Sequence, residues 1–294
     1  MAQTRIEVPE MARDTPPADE YSWRGQVGRL VNGMPIEVDP RDIVGSHILR
    51  WGVWEEETAG FFLSCLRLGM TFVDAGAHVG QYSLLASELV GSAGRVIAFE
   101  PHPVLRQVLR RNVRRAGCTN VTVSPLALGR TSRRADFILH PAANFGASSL
   151  RADGATPHHP RASVKVTALD EYLDRVGMPK VDVVKLDVEG AELDVIEGAC
   201  RTLIANPRII LVVEFLRENQ LHFGKTVEDL QARLCELGFL LFTLTPYGPR
   251  RYEPVGDLAV NVVAVRRLIT LLDGLSETMA ASTLLELART RRDR

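Results

Sequence analysis

The sequence predicts an α/β fold built on a seven-stranded, mostly parallel β-sheet whose last strand is antiparallel. Apolar stretches alternate with amphipathic helical stretches from residue 71 onward, which is typical of βαβ units. VDVVKL and IILVVEF are almost unbroken apolar runs, as in strands that are buried on both faces. The last two strands are joined by TPYGPRRYEPVGD, which has no helical pattern. That connection predicts a hairpin, and therefore an antiparallel final strand.

The predicted elements follow this alternation in chain order. Ahead of the sheet, QVGRLVNGMPIEVDP predicts a hairpin that turns at Asn32-Gly33. EEETAGFFLSCLRL has acidic residues first and apolar residues after them, which predicts a helix. The strands of the sheet are predicted at 71–75, 95–100, 121–126, 181–187, 208–215, 239–244 and 259–266, and the helices at 80–91, 103–116, 191–205 and 226–237.

One insertion interrupts the alternation after the third strand. Two strand-like pieces, ADFILH and SVKVTALDEYL, flank the long loop 141–162, which is rich in Gly, Ala, Ser and Pro. Loops of this length inside a domain are usually functional or disordered. We interpret this one as a lid that determines substrate specificity, and a surface excursion without a role is the alternative.

The chain is predicted to have three parts. Residues 1–69 form an N-terminal extension with a loosely ordered start, the hairpin and the first helix. Residues 70–267 form the α/β domain. Residues 268–294 have a long apolar periodicity and a charged end, which predicts an amphipathic helix that docks on the domain or on a second subunit, as in a homodimer.

Composition argues against several classes of partner. The 294 residues carry a formal net charge of −1, so nucleic acid is not expected, and the basic run RQVLRRNVRRAG is interpreted as a solvated helix face. No apolar run is long enough to span a membrane, and the polar, proline-bearing start does not resemble a signal peptide. The four cysteines are scattered, which favours a reducing compartment, and we expect the cytoplasm.

The stretch TFVDAGAHVGQYS, residues 71–83, is the strongest local signal. A short apolar run ends at Asp74, passes through Gly76 and Gly80, and opens into a helical pattern. Glycines let the backbone approach a ligand closely, and the free N–H groups of a helix start favour a polar ligand. The next strand ends at Glu100. Together these features predict a nucleoside-binding crevice at the carboxyl ends of two parallel strands.

The pattern favours S-adenosylmethionine over a dinucleotide. Ala77 and His78 replace the second tight glycine of the G-x-G-x-x-G fingerprint, and Asp74 would repel a pyrophosphate. A carboxylate suits the ammonium and sulfonium groups of S-adenosylmethionine, and Glu100 would accept hydrogen bonds from the ribose hydroxyls. A parallel sheet with one antiparallel strand is also the class I methyltransferase arrangement, Rossmann-like but unlike the all-parallel dehydrogenase sheet.

Four segments resemble the FkbM family of S-adenosylmethionine-dependent methyltransferases: FVDAGAHVGQYSLLA, AFEPHP, VKLDVEGAELDVIEGA and IILVVEF. The resemblance covers roughly residues 70–265, and DVEGAE is its most specific part. It implies methylation of hydroxyl groups on sugars, polyketides and other secondary metabolites. It also matches Ser148 and Ser149 to a serine-bearing segment of the family. His78 departs from the family pattern, which usually has Asn there.

Acidic residues after the later strands are the catalytic candidates. Asp187 ends the fourth strand, Glu189 follows it, and Glu214 ends the fifth, so all three border the crevice. His222 lies in the loop beyond and is a candidate general base. Glu192 is assigned mainly to the helix start, where the dipole favours acids. Asp187, Glu189 and Glu214 could alternatively hold Mg²⁺, but no metal is included in the prediction.

The sequence therefore predicts an O-methyltransferase that acts on a hydroxylated small molecule. An NAD-binding oxidoreductase and a cofactor-binding module without activity are the alternatives. Main-chain groups near Leu126 and Ala127 are expected to flank the adenine. The complete set of predicted cofactor contacts is Asp74, Gly76, Ala77, His78, Gly80, Tyr82, Ser83, Glu100, Pro101, Leu126, Ala127 and Asp187.

Overall fold

An eight-stranded sheet forms the centre of the protein. The computed structural model describes residues 5–6, 19–150, 158–178, 180–245, 249–254 and 260–266. The strands of this sheet, in chain order, are β5 (Thr71–Ala75), β6 (Arg95–Phe99), β7 (Val121–Ser124), β11 (Val183–Leu186), β12 (Ile210–Phe215), β13 (Leu240–Thr243), β14 (Arg250–Arg251) and β15 (Val260–Val265). The seven predicted strands are all present, with ends that differ by at most two residues.

The spatial order of the sheet is β14-β13-β15-β12-β11-β5-β6-β7. The five strands from β12 to β7 are mutually parallel. β15 is antiparallel to both β12 and β13, so the predicted antiparallel last strand is confirmed, although it lies inside the sheet. The eighth strand, β14, was not predicted, because two arginines in a connection carry no strand periodicity.

The helices lie on both faces of this sheet. Those outside the insertion are α1 (Ile43–Trp51), α2 (Glu56–Cys65), α3 (Gln81–Val90), α4 (Pro103–Arg115), α6 (Glu192–Glu197), α7 (Cys200–Ala205), α8 (Arg217–His222) and α9 (Val227–Glu236). α1 and α8 were not predicted. The predicted helix 191–205 is two helices, because the chain turns at Gly198, where a Cβ would overlap the carbonyl oxygen of Gly129.

Two apolar cores cover the two faces of the sheet. Neighbouring residues of one strand point in opposite directions, so Phe72 packs with α2, α3 and α4, while Val73 packs with α6, α7 and α9. Both residues are fully buried. Burial on both faces explains why these strands are apolar without interruption.

The N-terminal extension packs on the domain through a short hairpin. β3 (Gln26–Arg29) and β4 (Pro35–Val38) pair antiparallel around the predicted Asn32-Gly33 turn. Glu37 of β4 is buried and accepts hydrogen bonds from Arg111 and Arg115 of α4. The basic face of α4 is therefore only partly solvated, which corrects the prediction.

The ends of the chain are described only in part. Arg5–Ile6 form β1, which pairs antiparallel with β2 (Trp23–Arg24), so this piece of the start is in a strand rather than loosely ordered. The rest of the predicted loose start and the predicted helix 268–294 lie outside the described residues. The three-part division of the chain stays a prediction. None of the helices described is long and apolar enough to cross a membrane.

The insertion forms a small sheet of its own. Its strands are β8 (Ala127–Leu128), β9 (Arg133–Ile138) and β10 (Arg161–Thr167), followed by α5 (Leu169–Val176). Their spatial order is β8-β10-β9. The prediction took SVKVTALDEYL as one strand, but its second half is α5, an amphipathic segment that buries Leu169, Tyr172 and Leu173. Of the predicted lid, residues 151–157 lie outside the described part of the chain.

Candidate active site

A cavity of about 500 Å³ opens at the carboxyl ends of β5, β6, β11 and β12. The N-terminal extension borders it through Trp54 and Glu55, and the insertion borders it through Phe145. Twelve predicted site residues line this cavity: Gly76, Ala77, His78, Tyr82, Glu100, Pro101, Leu126, Ala127, Asp187, Glu189, Glu214 and His222. The topology therefore brings together motifs that are far apart in the chain.

Asp74, Gly80 and Ser83 do not line the cavity. The side chain of Asp74 is fully buried, and its Oδ2 accepts a 2.6 Å hydrogen bond from the hydroxyl of Ser83. Burial raises the pKa of Asp74. The pair joins β5 to α3 behind the glycine turn, because Asp74 points inward from its strand. Oδ1 of Asp74 is buried without a partner among the described residues, and the predicted contact of Asp74 with the cofactor stays a prediction.

The two glycines of the turn are required by protein packing. Both have positive φ, 79° at Gly76 and 98° at Gly80. A Cβ on Gly76 would overlap the carbonyl oxygen of Asp187, and one on Gly80 would overlap the side chain of Leu109. Close contact between β5 and β11 and between α3 and α4 therefore requires these glycines, and the predicted close approach of a ligand to the same turn stays a prediction.

Glu100 is held in place by the backbone at the mouth of β6. Its two carboxylate oxygens accept hydrogen bonds from the main-chain N–H groups of His78 (2.7 Å) and His102 (2.8 Å). Burial raises the pKa of Glu100 to about 8. A carboxylate has about four acceptor positions, so Glu100 can accept two further hydrogen bonds from a ligand in the cavity.

Lys185 was missed by the sequence analysis. Its side chain is 2% exposed in the middle of β11, and its Nζ lies 2.7 Å from Oδ2 of Asp187. Nζ also lies 4.9 Å from the centroid of the Tyr82 ring. Burial opposes the charge, but the carboxylates of Asp187, Glu55 and Asp74 raise the pKa of Lys185. The sequence does contain a signal for this residue, because a lysine inside the apolar run VDVVKL indicates a buried charge that needs a partner.

Three carboxylates converge at the end of the cavity next to Lys185. One oxygen from each of Asp187, Glu189 and Glu214 lies within 4.8 Å of the others. Burial and the neighbouring acids raise the pKa of Glu189 to about 8, and raise that of Glu214 well above its usual range. Asp187 is the member of the group that contacts the Lys185 ammonium. The group can therefore hold protons or a cation.

Two further predicted residues differ from their expected settings. His222 is the last residue of α8, not part of a loop, and lies at the rim of the cavity. Glu192 is fully buried, and its Oε1 accepts hydrogen bonds from the N–H groups of Val188 and Gly190. Glu192 therefore stabilises the DVEG turn through these hydrogen bonds. The sequence predicted only its place at the start of a helix.

Glu55 also borders the cavity without having been predicted. It has a φ of 54° ahead of α2 and accepts a 2.8 Å hydrogen bond from the hydroxyl of Tyr82. Burial raises the pKa of Glu55. Nothing local distinguishes it from Glu56 and Glu57 in the sequence, because its role depends on how the extension folds over β5.

The sheet order and the crevice carboxylate together define a class I methyltransferase fold. Within that class, residues 74–241 match the family described as the methyltransferase FkbM domain, and the chain belongs to this family.

Curated relatives match part of the chain. The chain is 30% identical over 166 residues to the hexuronic acid methyltransferase AglP of Haloferax volcanii, covering 55% of this chain and 60% of that protein. It is 29% identical over 143 residues to methyltransferase 1 of Beauveria bassiana, covering 43% and 57%. The matched region thus spans about 60% of the length of these relatives.

Solved structures resemble the fold at low identity. A SAM-dependent O-methyltransferase from Thermotoga maritima is 15% identical, with a TM-score of 0.43, covering 90% of this chain and 86% of that one. A precorrin-6y C5,15-methyltransferase from Geobacter metallireducens is 16% identical, with a TM-score of 0.44, covering 72% and 87%.

Proposed function

We propose that this protein transfers the methyl group of S-adenosylmethionine to a hydroxyl group of a small molecule. The observation that carries the proposal is Glu100, a buried carboxylate that faces the cavity with acceptor positions to spare. Membership of a methyltransferase family supports the reaction class. No feature of the described cavity favours the dinucleotide alternative.

The two ends of the cavity differ in the way that this cofactor requires. Leu126, Ala127 and Phe145 provide apolar walls near Glu100, which suit a heteroaromatic base and its ribose. Asp187 and Glu189 provide carboxyl oxygens at the end next to Lys185, which can accept hydrogen bonds from an ammonium group. Bound there, S-adenosylmethionine would supply an electrophilic methyl group.

The protein's own groups would then orient the acceptor and take its proton. Methyl transfer is an in-line displacement, so most of its acceleration comes from alignment and from a nearby proton acceptor. Asp187, Glu214 and His222 line the part of the cavity where an acceptor would lie. A relative named hexuronic acid methyltransferase supports a sugar as the acceptor class.

Calorimetric titration with S-adenosylhomocysteine, with NAD as the parallel control, tests the proposal. We expect micromolar binding of S-adenosylhomocysteine alone. Methyl transfer to a panel of hydroxylated sugars, followed by mass spectrometry, would then identify the acceptor. Binding of NAD alone would support an oxidoreductase, and binding of neither would support a module without activity.

A further inference from the structure

His102 begins α4 with an unusual cap made by its imidazole ring. Nδ1 accepts hydrogen bonds from the main-chain N–H groups of Val104 (3.2 Å) and Leu105 (3.3 Å). A neutral imidazole that accepts at one nitrogen carries its proton on the other. Burial lowers the pKa of His102 to about 3, so the ring is neutral at working pH. Nε2 is therefore an N–H donor.

This donor has no partner among the described residues. Nε2 of His102 is buried, the whole residue is only 2% exposed, and the residue lines the cavity. Buried polar groups in native proteins nearly always have a hydrogen-bond partner. A donor held by a helix cap at the wall of a cavity therefore points to a ligand with an acceptor atom.

The surroundings of His102 suit a flat aromatic ligand. The rings of Phe137 and Phe145 lie edge-on to its imidazole, with centroids 6.3 Å and 5.7 Å away, and both line the same cavity. The main-chain N–H of His102 is also bonded to Glu100. The ring therefore lies beside the carboxylate that we assign to the ribose, on the apolar side of the cavity.

We propose that Nε2–H of His102 donates a hydrogen bond to a ring nitrogen of the cofactor's adenine, which makes His102 a determinant of base specificity. This inference rests on the proposed function, because it takes the ligand to be an adenine nucleoside. The acceptor nitrogens of adenine are N1, N3 and N7, and one of them would lie opposite His102.

The variant His102→Asn tests the N-cap made by Nδ1 and the donor Nε2–H separately. Asn is a strong N-cap residue, so its side-chain oxygen can replace Nδ1 while the distal N–H is lost. We expect unliganded His102→Asn to unfold near the wild-type temperature and to bind S-adenosylhomocysteine roughly tenfold more weakly. The companion His102→Ala removes the cap as well and should unfold at a lower temperature.

The 1-deaza, 3-deaza and 7-deaza analogues of S-adenosylhomocysteine identify the acceptor nitrogen. We expect the wild type to bind one analogue roughly tenfold more weakly than the parent compound, and His102→Asn to lose that discrimination. A purely structural role of His102 would not produce this coupling. The wild-type analogue series tests the inference even if both variants fail to fold.

The outcomes separate this inference from the proposed function. Failure of the wild type to bind S-adenosylhomocysteine would overturn both. Tight binding of the parent together with equal binding of all three analogues, or with unchanged discrimination in His102→Asn, would overturn the role of His102 alone.

Discussion

At the scale of single residues, the role that we propose for Glu100 predicts that cofactor binding depends on pH. Its pKa is raised to about 8 by burial, so it is largely protonated at pH 6 and ionised at pH 9. Ribose hydroxyls bind best to the ionised form, because charge-assisted hydrogen bonds are stronger than neutral ones. Binding of the cofactor would therefore release a proton from this residue.

We predict that Glu100→Gln weakens binding of S-adenosylhomocysteine at pH 9 by about 1.5–3 kcal/mol. The difference from the wild type should shrink at pH 6, because the protonated wild type then resembles the amide. Calorimetry at both pH values measures this, with Glu88→Gln, outside the cavity lining, as the control. An equal loss at both pH values would contradict the assigned role of ionisation.

Lys185 and Asp187 form an ion pair in the site, in which the lysine side chain is 2% exposed and the aspartate side chain 27%. We predict that Lys185→Met lowers the free energy of unfolding by about 3–5 kcal/mol, because the half-buried Asp187 carboxylate loses its partner and the buried Asp74 loses a neighbouring positive charge. Lys180 also pairs with the aspartate two residues after it, Asp182, but the side chain of Lys180 is 72% exposed.

Lys180→Met is therefore the matched control, with an expected loss of less than about 1 kcal/mol. Urea denaturation of both variants measures the two losses. Similar losses would show that the site does not depend on the charge of Lys185.

At the scale of elements, the turn between β5 and α3 depends on contact between main chains. Gly76 has a φ of 79°, and the carbonyl oxygen of Asp187 occupies the position that a Cβ at Gly76 would need. Gly33 in the hairpin also has a positive φ, 87°, but has open space around it. A side chain at Gly33 would cost stability only through the positive φ, whereas one at Gly76 would also clash with the main chain of β11.

We predict that Gly33→Ala lowers the free energy of unfolding by about 1–2 kcal/mol, the cost of the left-handed conformation. Gly76→Ala should cost about 1–3 kcal/mol more, because the backbone of β11 must move. Chemical denaturation of both variants compares them. Equal losses would mean that β5 and β11 are not in close contact at this point.

At the scale of the whole molecule, buried acids should make stability depend on pH. The pKa values of Glu100 and Glu189 are raised to about 8 and that of Glu192 to about 7, first of all by burial. These three acids bind more protons in the folded state than in the unfolded state between about pH 4.5 and 8. The lowered pKa of His102 acts in the opposite direction below about pH 6.5, but three acids outweigh one histidine. Stability therefore falls as pH rises through this window.

We predict a melting temperature that is higher near pH 5 than at pH 8 in the absence of ligand. Glu192→Gln should flatten the decline between about pH 4.5 and 7, since this residue then no longer titrates. Thermal unfolding across the pH range measures both effects. A melting temperature that rises from pH 5 to pH 8 would contradict the assigned burial of these acids.

Several properties of the whole molecule stay predictions. They are the cytoplasmic location, the formation of a homodimer, and the expectations that the protein does not bind nucleic acid and does not need a metal. Size-exclusion chromatography with light scattering would measure the oligomeric state, and titration with Mg²⁺ would measure whether Asp187, Glu189 and Glu214 bind a cation.

Seven of the eight strands of the central sheet, the order of the motifs and twelve of the residues that line the cavity could be predicted from the sequence alone. Apolar periodicity and glycine turns are local signals, so strands such as Thr71–Ala75 and residues such as Glu100 could be found without a structure. Parallel strands bring their carboxyl ends to one edge. That rule was enough to assemble Glu100, Asp187 and Glu214 in one site.

The directions of individual side chains and their contacts became visible only in the folded structure. Asp74 turned out to bond to Ser83, Lys185 to Asp187, and the His102 ring to the start of α4. These contacts depend on strand register, on the packing of helices and on the fold of the N-terminal extension. They involve residues far apart in the chain or side-chain directions that local patterns do not encode.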